Sequence, residues 1–444
     1  MSAGDLTRGN ITGSIIRFAL PLAAGNLLQQ CYNVADTLIV GRALGPDVLA
    51  AVGSSFTLMT FLTSVLLGLS LGSGTLFSLR FGEGDADELR KSANASFFLI
   101  SAVTLVLTAL SFLSLTFLER ALNVPSSVWP HMRIYLMVVF SGIPAVFLYN
   151  WVSCYLRALG DSGTPLVFLA VSALLNIALD LIFIIAFGLG ADGAAAATVM
   201  SQYAAGIGIC LFTRNDLKRI ILTGRPDGKR MKGVASFSLL TCLQQSVMNL
   251  GILLVQGVVN SFGAVIMAAF AAAVKIDAFA YMPAQDFGSA VSTFLAQNRG
   301  VGKSDRVRKG LLSGVVISAL YCALASLIIF VAAETLMELF TGEKAIIAEG
   351  VKYLRIEGAF YVLIGLLFIL YGLFRALERP LISLGLTIIS LGIRVVLAYT
   401  LPALTALGVT GVWMAVPIGW AAADITGLLI YLRGRKNEHN TEKG

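Results

Sequence analysis

The chain has 444 residues, of which 57% are hydrophobic and only 13% charged, with a formal net charge of +7. That composition leaves too little polar surface to clothe a soluble protein of this size, so soluble classes are excluded and a membrane protein is expected. The positive charge lies in short clusters between apolar stretches, a distribution that serves topology and attraction to anionic lipid and argues against a nucleic-acid partner.

In chain order, the opening MSAGDLTRGN is polar, and the apolar run after it is too long for the core of a cleaved signal, so it is read as a first span. Six apolar stretches, at about 14–40, 48–78, 92–116, 129–154, 166–187 and 193–213, are each long enough to cross roughly 30 Å of hydrocarbon as a helix. A basic stretch from Arg214 to Lys232 follows. Six more spans are expected at about 233–258, 265–291, 310–332, 353–374, 381–403 and 411–432, before a polar tail expected to be loose.

The two sets of six say the same thing at a constant offset of 218 residues. Gly82-x-Gly84-x-x-Asp87-x-x-Arg90-Lys91 returns as Gly300-x-Gly302-x-x-Asp305-x-x-Arg308-Lys309, Arg157-Ala158-Leu159 as Arg375-Ala376-Leu377, and Leu189-Gly190-x-x-Gly193 as Leu407-Gly408-x-x-Gly411. The chain is a fused duplication, the architecture of secondary transporters. The expected fold is an all-α polytopic membrane protein with twelve transmembrane helices in two six-helix lobes, related by a pseudo-two-fold along the membrane normal. Its parts are an N-lobe (1–213), a cytoplasmic basic linker (214–232), a C-lobe (233–432) and the tail (433–444). Lys and Arg crowd the N-terminus, every second loop and the tail, which puts both termini on the cytoplasmic side of the inner membrane.

Enzyme chemistry finds no support. Gly302-Lys303-Ser304 imitates the end of a phosphate loop, but the first glycine of that motif would fall at Gln297, so it is read as a turn. The chain has two histidines and five cysteines without metal-ligand spacing, so no metal site and no cofactor are expected; Cys31, Cys154, Cys210, Cys242 and Cys322 are read as packing residues. Work across the membrane must then come from an ion gradient.

Acids within spans are costly in hydrocarbon and therefore functional candidates. On the first span Gln29, Asn33 and Asp36 fall at i, i+4 and i+7 with Tyr32 beside them; on the fifth Ser172, Asn176 and Asp180 repeat every four residues; on the sixth Thr198 and Gln202 are four apart. Three seams of one half should converge inside a bundle or line a wet cavity. For Ser172, Thr198 and Gln202, simple hydrogen bonding between helices is an equally good reading. Two acids sharing a buried site hold a proton more readily than either does in water, so protonation there responds to pH.

Pro21, Gln29, Tyr32, the run Asp36-Thr-Leu-Ile-Val-Gly-Arg-x-Leu-Gly45, Arg157-Ala-Leu-Gly-Asp-x-Gly-x-Pro165, Asn176-x-x-x-Asp180 and Gln297-Asn298-x-Gly300 together resemble the multidrug and toxic compound extrusion (MATE) transporters, prokaryotic type. The resemblance implies two six-helix lobes around a cleft that alternates its opening while exporting amphipathic, often cationic compounds in exchange for H⁺ or Na⁺. It assigns cation coupling to Asp36, Asn176, Asp180 and Thr198, with Tyr135 in the same network, and places Gln29 and Tyr32 at the drug pocket. Pro21 matches the family's first-helix proline, whose missing N–H permits a bend. Asn33, Gln202 and Gln256 join the substrate-lining candidates, and Na⁺ finds oxygen ligands at Asp36, Asp180, Asn176 and Thr198.

The second half departs from members that hold Na⁺ there with acids on the seventh and tenth helices. It offers Gln256 on the seventh and nothing acidic between Gly358 and Gly372, so a second-half sodium site is not expected. Lys275, Asp277, Asp286, Arg394 and Asp424 are its intramembrane charges, read either as pairs across helices, with Asp277 and Arg394 one candidate pair, or as gating or substrate groups. Amphipathic small molecules and the bilayer are the expected partners, with no obligate protein partner. Two rivals stay open: a lipid-linked oligosaccharide flippase of the same superfamily, which would want a basic cleft, and a channel or scramblase, which needs no proton-labile pair.

Overall fold

The computed structural model describes residues 4–121, 128–222, 224 and 227–441. Residues 223, 225 and 226 of the expected linker and 442–444 of the expected tail lie outside the described residues. The first half runs through α1 (Ile11–Leu44), α2 (Pro46–Glu83), α3 (Ala86–Leu113), α4 (Leu115–Ala121), α5 (Trp129–Phe140), α6 (Ile143–Ala158), α7 (Gly163–Asp180) with a π-helical turn at Leu181–Ala186, α8 (Ala191–Phe212) and the short α9 (Arg214–Ile221). The second half repeats the order with α10 (Gly228–Asn260), α11 (Ala264–Gly300), α12 (Ser304–Glu338), α13 (Lys344–Gly358), α14 (Tyr361–Ala376), α15 (Pro380–Leu404) and α16 (Val409–Thr441). No strand occurs among the described residues.

Ten of the helices are long and apolar enough to cross a membrane, and two bent pairs bring the spans to twelve. The bent pairs are α5 with α6, at 44°, and α13 with α14, at 50°; both breaks fall at equivalent places of the duplication, residues 141–142 and 359–360. The sequence predicts each of these as a single unbroken stretch, at about 129–154 and 353–374. In the first, the Ser141 hydroxyl bonds the Val138 carbonyl instead of letting the helix run on, and Tyr203 of α8 donates to the Ser141 carbonyl freed by the break, at 2.9 Å. Long apolar side chains such as Leu105 on α3 and Leu320 on α12 are each 67% exposed, as lipid-facing residues must be. The tail also differs from expectation: α16 continues through it as helix to Thr441, with no glycine or proline between Gly434 and Thr441 to stop it.

The repeated Gly-x-Gly motif is helix-ending chemistry. Gly84 and Gly302 have φ of +74° and +76°, left-handed conformations that a Cβ would strain, so each half turns from one span to the next at a glycine. Asp85 then caps α3, accepting from the backbone N–H of Glu88 at 2.9 Å.

The chain divides into two compact units, one of Met1–Asp5 with Leu20–Cys242, the other of Leu6–Ala19 with Leu243–Gly444. The first helix of each half therefore begins in the other half's unit. In the second unit, the segment ahead of α1 is clamped onto the α11–α12 turn. Arg306 donates to the carbonyls of Gly9, Leu6 and Arg8 at 2.9 to 3.2 Å, Lys303 to Thr7 at 2.9 Å and Asn298 to Leu6 at 3.1 Å. In the first unit, Arg230 at the start of α10 pairs with Glu88 of α3 at 2.5 Å. Glu88 and Arg306 are 218 residues apart, so one position of the repeat anchors the incoming helix in both halves, once as acid and once as base.

The first unit is built on α2, α6 and α8, with Trp151 of α6 stacked on Tyr155 at 5.9 Å and edge-on to Phe77 and Phe97. The Trp151 indole donates to Ser96, Ser96 to Ser73, and Ser73 shares a bond with Ser238 of α10, so a buried polar chain is satisfied end to end across four helices. In the second unit α11 packs on α12, α13 and α14, and α15 on α16. There Phe270 and Trp413 stack at 5.4 Å, with Tyr353 edge-on to both.

Candidate functional site

The polar seams of the first unit meet around two carboxylates. Asp180, the last residue of α7, has no exposed surface, and neither of its oxygens receives a hydrogen bond from another residue's donor. Its neighbour is Asp36 of α1, close enough for one carboxyl to donate to the other, and Asp36 Oδ1 is itself buried without a further donor. A shared proton is the chemistry that joins such a pair, since two bare carboxylates repel.

Tyr135 of α5 is buried and faces both acids, with Thr198 of α8 beside it. Thr198 also donates to the Ala194 carbonyl at 3.1 Å. Asn176 stands one turn before Asp180 on the same face of α7, 1% exposed, with both amide atoms lacking a partner. Ser172, a further turn back, is spent on the Ser201 carbonyl at 2.8 Å and is a helix-to-helix tie. Directly after Asp180 the backbone widens into the π turn, a feature that recurs where helices carry function.

The substrate candidates are placed differently. Tyr32 lies near Gln29 and Asp36, although Gln29 itself is exposed. Asn33 is half-buried and reaches Gln30 at 3.4 Å. Gln202 lies against the break in the fourth span: a Cβ on Gly142 would fall 2.5 Å from its Oε1, which has no hydrogen-bond partner. Gln256 is in the other unit and bonds Asn260 at 2.8 Å. Pro21 sits inside α1, one residue after the helix passes from the second unit to the first.

No group of three or more His, Cys, Asp or Glu with metal-binding placement exists among the described residues. Any cation here would be held by the two acids with the neutral oxygens of Asn176, Thr198 and Tyr135. Sequence reasoning missed Glu357, which is 2% exposed beside Asp277 in the second unit. It lies near the edge of the stretch expected at 353–374, where an acid reads as interfacial, whereas α13 begins at Lys344 and carries Glu357 to the mid-span break. Arg394 does come within electrostatic reach of Asp277, the pairing read from sequence, but no ion pair closes between them.

A family model described as MatE matches residues 21–182 and again 241–400, once in each half of the duplication. The chain belongs to the MatE family. It is a multi-pass membrane transporter and not an enzyme, as are its relatives. YpnP of Bacillus subtilis (strain 168), a probable multidrug resistance protein, is 32% identical over 438 residues, 98% of each chain. NorM of Thermotoga maritima, also a probable multidrug resistance protein, is 26% identical over 433 residues, covering 96% of this MatE chain and 93% of its own. Among solved structures, a MATE protein crystallised in complex with MaD3S matches the whole of both chains with a TM-score of 0.91 at 26% identity.

Proposed function

We propose that this MatE transporter is a multidrug efflux antiporter of the cytoplasmic membrane, exporting amphipathic, often cationic compounds in exchange for H⁺ by alternating access, with both termini cytoplasmic. The observation that carries the coupling assignment is Asp180, wholly buried beside Asp36 with no donor from any other residue. An acid so placed needs a proton or a cation in its charge-compensated state. Ionised, the pair attracts a cationic substrate toward Tyr32 and Gln29; protonated, it does not, and the two states then differ in affinity as exchange requires.

H⁺ is favoured over Na⁺ because the pair can share a proton directly, without recruiting further ligands. Na⁺ would have to draw on the oxygens of Asn176 and Thr198 as further ligands. Pro21, lacking an N–H, gives α1 a place to bend as the pair changes charge.

The test is transport of ethidium or norfloxacin into proteoliposomes with a pH gradient and a sodium gradient imposed separately. Uphill accumulation under the pH gradient alone is expected. Accumulation under sodium alone would reassign the ion, and downhill flux with no accumulation would return the protein to the channel or flippase class.

A further inference from the structure

The second unit holds a buried charged cluster that cation coupling at Asp36 and Asp180 does not use. Asp277 of α11 is 6% exposed and Glu357, at the end of α13, 2%. Tyr361, the first residue of α14, donates its hydroxyl to Asp277 Oδ1. Glu357 lies within electrostatic reach of Asp277 and of Arg394 on α15, with Tyr353 beside it one turn back. Tyr281 of α11 faces Asp277, Glu357 and Arg394, and Tyr321 of α12 lies beyond Tyr361. One carboxylate oxygen of Glu357 is buried without a hydrogen-bond partner, as are Arg394 Nε and the indole nitrogen of Trp413 on α16.

The duplication says where this cluster stands. At the offset of 218, Tyr353 occupies the position of Tyr135 and Arg394 that of Asn176, two of the residues that frame Asp180 in the first unit. The counterparts of Asp36 and Asp180 themselves are Leu254 and Ala398, so the second unit has rebuilt an acidic pair from other positions and exchanged an amide for a guanidinium. Two buried carboxylates and one half-buried guanidinium leave one negative charge uncompensated away from bulk water. A guanidinium does not give up its proton, so the balance is met by a proton on one acid. The same fixed positive charge lies within electrostatic reach of both acids, and it repels a metal ion there.

We propose that Asp277 and Glu357 form a second proton-binding site, holding one exchangeable proton between them and excluding Na⁺, with Arg394 as its built-in counter-charge. The site is independent of the coupling pair in the first unit and survives if that assignment fails.

Charge counting makes its signature unusual. Removing either acid leaves the other paired with Arg394, so either change abolishes the whole titratable proton and not half of it. Infrared difference spectra of the purified full-length protein between about pH 5 and 9, with and without sodium, read protonated carboxyl groups directly. Asp277→Asn and Glu357→Gln should each remove the same single-carboxyl component from the parent's spectrum, and sodium should leave that component unmoved. Arg394→Gln should enlarge it and make it sodium-sensitive. An unchanged spectrum in the folded acid variants, or displacement of the component by sodium in the parent protein, would overturn the proposal; Glu357→Gln decides the matter if Asp277→Asn does not fold.

Discussion

Asp180 and Asp424 are both buried acids whose two oxygens lack donors, yet their surroundings separate them. Asp180 faces a second carboxyl, Asp36, and a shared proton changes the charge of both at once. Asp424, 3% exposed on α16, lies near Tyr371 and has no carboxyl within reach. Asp36→Asn and Asp180→Asn should therefore each keep the fold and cut uphill efflux by at least ~10-fold, about 1.4 kcal/mol or more in coupling. Asp424→Asn should be milder. Accumulation ratios in energised vesicles, with folding checked by size-exclusion elution, measure all three; normal accumulation by Asp36→Asn would refute the coupling assignment.

At the scale of elements, several of the spans that carry the site are irregular. The break in the fourth span sets Tyr135 on one arm and brings Gly142 against Gln202, and the break in the tenth puts Glu357 and Tyr361 on either side of it. Close helix crossings are made where side chains are smallest. Gly68 and Gly72 of α2, spaced as in a Gly-x-x-x-Gly motif, meet the backbone of α10 in the first unit, and a Cβ on Gly72 would lie 2.7 Å from the Ser238 Cα. Backbone cannot yield as a flexible side chain does, so Gly72→Val should destabilise by about 1–3 kcal/mol. Gly257 on the same α10 has nothing within 4 Å of its would-be Cβ, and Gly257→Ala should be neutral or stabilising by roughly 0.5–1 kcal/mol through helix propensity. Thermal unfolding in detergent compares the two; equal midpoints would mean that the α2–α10 crossing is looser than the structure has it.

For the whole molecule, the coupling scheme makes drug and proton linked ligands. Raising the pH ionises the Asp36–Asp180 pair and strengthens attraction for a cation; lowering it protonates the pair and weakens that attraction. A monovalent cationic substrate should then bind more tightly as the pH rises from about 5 to 8, by on the order of 1 kcal/mol or more across a poorly solvated site. The dependence should be nearly flat in the Asp36→Asn, Asp180→Asn double variant. Equilibrium binding of ethidium by fluorescence anisotropy measures it, and an unaltered slope in the double variant would move the coupling to other groups.

Composition and the 218-residue repeat were enough to establish a duplicated, all-helical membrane protein, because the bilayer forces backbone satisfaction within each span and apolar length is written directly in the residues. The seam of Asn176 and Asp180 was equally legible, since helical spacing fixes which residues share a face. What spacing could not say is which faces meet. That Asp36 turns to Asp180, that Tyr135 joins them and that Ser172 is spent on a carbonyl of α8 depend on how separate helices pack. Glu357 escaped notice for the same reason: depth in the membrane depends on where a span begins and where it bends, and the break before Tyr361 leaves no local signature comparable to a proline. The repeat showed that the halves are related, but only the packed structure revealed that each half's first helix starts in the other's unit, since an anchor such as Arg306 to Leu6 joins residues 300 positions apart.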